Sequence, residues 1–185
     1  EIGVRLVGSE MCIRDRKELT GLWLANGECV PSLKELLETA KRKTSLKLVL
    51  ELKAHSKPER EIKAVEEIVS MIKKMGLEPR MIYITFSSHA LKELIRQAPT
   101  STPVYYLKGD LSPQQLKELG SAGPDYHFSE FYRYTDWIES CHALGLKVNV
   151  WTVNKKEDMQ YFWDKVDFIT TDEPLGLLKD IMKVK

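Results

Sequence analysis

The sequence has little of what would mark a specialised class of chain. Three cysteines in 185 residues, Cys12, Cys29 and Cys141, are too few and too far apart for a disulfide framework, and no pair has zinc-ligand spacing. No run of about 18 apolar residues occurs, so no transmembrane helix or integral membrane segment is expected. Neither sign of charge dominates: 28 Lys and Arg against 27 Asp and Glu leave a net charge of +1. That balance gives no reason to expect nucleic acid or an anionic membrane surface as a partner. No glycine-rich phosphate fingerprint follows an apolar run, and no serine sits in the glycine pattern of a nucleophile elbow. No signal peptide is visible, so the compartment stays open.

What is present describes a soluble globular chain, 43% hydrophobic and 30% charged, long enough for one sizeable core and one domain. The first sixteen residues, EIGVRLVGSEMCIRDR, show neither helical nor strand periodicity. They resemble translated sequencing-adapter read-through and are set aside from fold reasoning, leaving residues 17–185 as the domain.

From Pro31 onward the punctuation is regular. Ser32 with Glu35 has the pattern of a capping box, opening a helix whose apolar face includes Leu33, Leu36 and Leu37. Leu46 to Lys53 then reads as a mostly buried strand. Ile62, Val65, Ile68, Val69 and Ile72 recur at helical spacing between Lys57 and Met75, and Gly76 is placed to end that helix. The cycle repeats: strand 81–86, a helix carrying Leu91, Leu94 and Ile95, and strand 103–107. A helix opened by Ser112 and Pro113 follows, then a weaker strand near 126–128 and one helix carrying Trp137, Ile138, Cys141 and Leu144. Strand 147–153, a helix capped by Asn154 with Glu157, strand 166–170 and a closing helix over 174–184 complete the reading. Strands that alternate with crossover helices predict parallel pairing and an α/β architecture. Periodicity alone leaves an open doubly wound sheet and a closed eightfold barrel both standing. The barrel reading requires strands upstream of those visible, since a complete one takes eight strands and about 250 residues.

In a barrel, functional groups gather at the C-terminal ends of strands. Glu51 and Lys53 end the first visible strand, and alternation places them on one face. Opposite charges there pair with each other, with a metal or with an anion; a plain salt bridge and a metal-and-phosphate site are both compatible with the spacing. Trp151 shares its face with Asn149 and Val153 and reads as pocket wall or as core. Thr171 and Asp172 follow the last strand, Asp172 placed to cap the final helix. None of His55, His89, His127 and His142 has the sequence setting of a catalytic triad, and each is assigned a non-catalytic role.

VPSLKELL before LVLELK, ITFSSHALKELIRQAP, KVNVWTVN and VDFITTDEP, in that order, resemble the C-terminal part of the glycerophosphodiester phosphodiesterase family, from about Pro31 to Lys183. The resemblance implies a partial TIM-type (β/α)8 barrel without its first strands. It also implies metal-dependent hydrolysis of a small-molecule glycerophosphodiester to an alcohol and glycerol 3-phosphate. Glu51 matches a ligand of the family's divalent metal, magnesium or calcium. Lys53 matches its phosphate-binding lysine, and Trp151 the tryptophan near the glycerol. The family's His-Arg-Gly, Glu-hydrophobic-Asp and His-Asp segments do not occur in this sequence. No catalytic residue is therefore assigned, and the fragment is expected to be inactive, with uncovered strand edges that favour self-association. Two rival functions remain at this point: a degenerate barrel that binds a phosphate ester without cleaving it, and a Schiff-base lyase using Lys53.

Overall fold

The computed structural model describes residues 20–174 and 176; the adapter-like stretch, Cys12 and most of the closing helix lie outside them. Helix α1 (Leu33–Lys43) opens on the expected capping box, with the Ser32 side chain accepting from Glu35 N–H and the Glu35 carboxylate accepting from Ser32 N–H. Its buried residue is Leu37, whereas Leu36, expected on the same apolar face, is exposed. Strand β1 (Leu48–Leu52) leads into α2 (Pro58–Met75), which stops at Gly76 in the left-handed region, φ 65°. Then come β2 (Met81–Thr85), α3 (Ser88–Gln97), β3 (Val104–Tyr106) and α4 (Pro113–Leu119), the last opened by a capping box between Ser112 and Gln115.

The second half departs more from expectation. Strand β4 runs Gly123–His127, beginning earlier than its weak apolar signal placed it. The single helix expected after it is two, α5 (Phe128–Arg133) and α6 (Trp137–Ala143), broken near Tyr134, which leaves helical geometry at φ −117° and ψ 78°. Strand β5 (Asn149–Trp151), α7 (Lys156–Phe162) and β6 (Phe168–Ile169) follow. Asn154 does not cap α7. Its side chain instead donates to Asp172 Oδ2 at 2.8 Å and accepts from the Thr171 hydroxyl and Asp172 N–H, tying the loops after β5 and β6 together.

The six strands are all parallel and stand in sequence order, β1-β2-β3-β4-β5-β6. One face carries Leu52, Tyr83, Val104, Tyr106, Tyr126, Val148 and Val150. These join Val65, Ile72, Leu91, Leu94, Leu116, Phe131, Cys141 and Phe162 of the helices in the main hydrophobic cluster. Burying such side chains contributes roughly 1.5–3 kcal/mol each. The register carries the other face across the sheet: Glu51 opposite Ile84, Ile84 opposite Tyr105, Tyr105 opposite Gly123, then Asp125 opposite Asn149 and His127 opposite Trp151.

That second face is concave. Neighbouring strands lie about 4.8 Å apart, so partners three strands distant in a flat sheet would stand roughly 14 Å apart. Yet the rings of Phe86, just past β2, and Trp151 in β5 are 5.8 Å apart, and those of Tyr105 in β3 and Phe168 in β6 are 6.3 Å apart. The sheet therefore curls, with helices outside and these aromatics meeting across the inside.

Candidate active site

The strand-end charges fold as alternation places them. Lys53 Nζ lies 2.6 Å from Glu51 Oε1 at the C-terminal end of β1. The lysine side chain is 60% exposed and the glutamate 28%, so the pair sits in an open mouth and contributes little to stability. Its side chain is exposed and ion-paired, unlike the desolvated lysine that favours Schiff-base chemistry.

Trp151 stands on the same concave face, three strands beyond Phe86. Its indole N–H donates to the backbone oxygen of Asp125 at 2.8 Å, which fixes the ring edge against β4. Its ring meets Phe86 edge-on and also His127, at 5.1 Å and 75°. The tryptophan is half-buried on the concave face.

Two residues below His127 lies Asp125, 2% exposed. Burial pushes its carboxyl pKa up to about 7; the Asn149 amide opposes the rise and the Glu51 carboxylate adds to it. Asp125 Oδ1 and Asn149 Oδ1 belong to residues opposite in register, and both are buried oxygens without a hydrogen-bond partner among the described residues. Buried orphans of this kind are few in folded proteins. Asn149 Nδ2 donates onward to Thr170 Oγ1 at 3.2 Å. Sequence reasoning missed Asp125, because it sits in GPDYH, where glycine and proline mask the strand.

A second missed residue supports the rim. Glu61 of α2 is 3% exposed. Its carboxylate accepts from His55 N–H at 3.0 Å and from the Ser87 hydroxyl at 2.8 Å, and lies 3.1 Å from His89 Nδ1. It therefore clamps the loop behind Lys53 to the loop behind Phe86. His142 bonds Asp167 at 3.1 Å on the surface, away from this mouth. Cys141 is buried, with its thiol pKa pushed up to about 12 by burial, and Cys29 is exposed; both are free thiols.

No group of three or more His, Cys, Asp and Glu side chains among the described residues could hold a metal ion. Glu51 is a hard oxygen ligand of the right chemistry, but a magnesium or calcium ion takes six or more ligands. The described residues thus do not by themselves make a complete site for such an ion. No described helix is long and apolar enough to cross a membrane.

Comparison with known proteins identifies the family and the fold. The sequence model of the Glycerophosphoryl diester phosphodiesterase family matches residues 7–175. A glycerophosphodiester phosphodiesterase of Caldanaerobacter subterraneus subsp. tengcongensis is 30% identical over 123 residues, 64% of this chain and 49% of that protein. The crystal structure of a glycerophosphodiester phosphodiesterase from Parabacteroides distasonis superposes with a TM-score of 0.86 at 43% identity, over 91% of this chain and 71% of that one. This chain thus spans about half the length of the curated relative it matches. The six parallel strands are a curled part of that fold's barrel, and the chain belongs to the glycerophosphoryl diester phosphodiesterase family.

Proposed function

We propose that this chain carries the substrate-binding side of a phosphodiesterase that hydrolyses glycerophosphodiesters to an alcohol and glycerol 3-phosphate. In that reaction water forms a new bond to phosphorus, the bond from phosphorus to the departing alkoxy oxygen breaks, and the leaving alcohol takes up a proton. The observation that carries the reading is the placement of Lys53 and Trp151 on one concave face, at the C-terminal ends of β1 and β5. The ammonium of Lys53 neutralises a non-bridging phosphoryl oxygen, and the indole of Trp151 walls the glyceryl carbons. Glu51 serves both to hold Lys53 in place and as one ligand of the magnesium or calcium ion that the family resemblance implies. That ion needs further ligands which the described residues do not assemble. A bound divalent cation supplies charge neutralisation at the phosphoryl oxygens.

This polypeptide by itself is inactive on this reading, since it lacks the histidine segments that the resemblance assigns to catalysis. Titration calorimetry with sn-glycerol 3-phosphate, with and without magnesium or calcium, tests the site. Binding is expected, weakened about tenfold or more by Lys53→Ala through loss of a charge-assisted contact. Unaltered affinity in that variant would remove Lys53 from the site. Release of choline from glycerophosphocholine by this same polypeptide would overturn its inactivity.

A further inference from the structure

His127 ends β4 and stands directly opposite Trp151 in the parallel register, on the concave face. Its ring packs edge-on against Trp151 at 5.1 Å and lies 4.2 Å from Phe128. Its Nδ1 accepts from Ser129 N–H at 3.3 Å and lies 2.7 Å from Ser129 Oγ. A backbone N–H only donates, so Nδ1 holds the lone pair and the imidazole proton resides on Nε2. Ser129 thereby sets both the tautomer and the tilt of the ring. Among the described residues Nε2–H has no hydrogen-bond partner of its own, and the residue is half-buried at the rim. The concave face therefore carries, beside Trp151, an imidazole whose Nδ1 is engaged by Ser129, on a strand three removed from the one that leads to Lys53.

Resting on the assignment of Lys53 and Trp151 above, we infer that His127 is a specificity-determining ligand for the glyceryl end of the substrate, donating its Nε2–H to a glycerol hydroxyl oxygen. A donor held in this way favours ligands that bring an acceptor to it, and leaves a half-buried N–H unpaired against those that do not. The role is one of binding; no proton transfer is assigned to the ring.

The test follows imidazole nitrogens in long-range 1H–15N spectra of the whole labelled chain, titrated separately with sn-glycerol 3-phosphate and with inorganic phosphate. Expected are a shift of His127 Nε2 with glycerol 3-phosphate only, and a loss of about five- to tenfold in its affinity in His127→Phe. That variant keeps a ring against Trp151, so phosphate affinity is expected to stay unchanged. His127→Gln, which retains an N–H donor, is expected to fall between the two. If the Lys53 and Trp151 signals respond to glycerol 3-phosphate while His127 does not, or His127→Phe binds it as the parent chain does, the inference is wrong and the reading of the site stands. If none of the three responds, both are wrong.

Discussion

Replacing Asp125 by asparagine is expected to stabilise the protein at pH 8 far more than at pH 5. The carboxyl is 2% exposed, and burial raises its pKa from 3.8 to about 7. The folded chain therefore holds this proton more tightly than the unfolded chain does. Its contribution to stability is complete below about pH 4, declines as pH rises through the interval, and is lost above the folded pKa. With one pKa unit worth about 1.4 kcal/mol, the loss relative to a neutral group is roughly 1.5 kcal/mol at pH 5 and roughly 4 kcal/mol at pH 8. An asparagine side chain is an uncharged isostere that escapes the loss. The stability gap between Asp125→Asn and the parent should therefore widen by about 2.5 kcal/mol between the two pH values. Urea unfolding of both chains at both values measures it, and comparing the chains at each pH cancels every other titrating group. A gap that stays constant, or a variant less stable at pH 8, would refute the account of Asp125 as a carboxyl that the fold prefers neutral.

Glu61→Ala leaves the His55 N–H and the Ser87 hydroxyl without their acceptor, and should cost about 2–3 kcal/mol in urea unfolding. Loss of proteolytic protection in the loops after β1 and β2 should accompany it. Gly123→Ala drives a Cβ to 1.9 Å from the Lys147 carbonyl oxygen at φ 146°. A loss of more than about 4 kcal/mol, seen as little folded protein, is expected, and a variant that unfolds like the parent would contradict the close approach of β4 to the chain entering β5.

Much of this fold is legible in the sequence, because helix ends are written in local chemistry. Ser32 with Glu35, Ser112 followed by Pro113, and Gly76 each act within a few residues, and each does what its type predicts. Glu51 and Lys53 were legible for a similar reason: charges that close an apolar strand stand out, and alternation puts them together. Asp125 and His127 were not. Their significance depends on which face of β4 points inward, and that is fixed by parallel partners in β3 and β5 rather than by neighbours in sequence. Glu61 reads as one more polar residue on an amphipathic helix until the fold brings two loops to it. Asn154 has the composition of a cap, yet its hydrogen bonds go to Thr171 and Asp172, 17 and 18 residues onward. Local rules cannot weigh a partner at that separation.

The order of the strands has a consequence for how the chain is made. Because each strand pairs with the one just before it, a strand emerging from the ribosome meets an edge that already exists. No pairing among these six strands waits for residues far downstream, so loop-closure costs stay low at every step. The sheet can grow one strand and helix at a time in the direction of synthesis, with the unpaired backbone N–H and C=O groups along each new strand's edge exposed only until the next strand arrives.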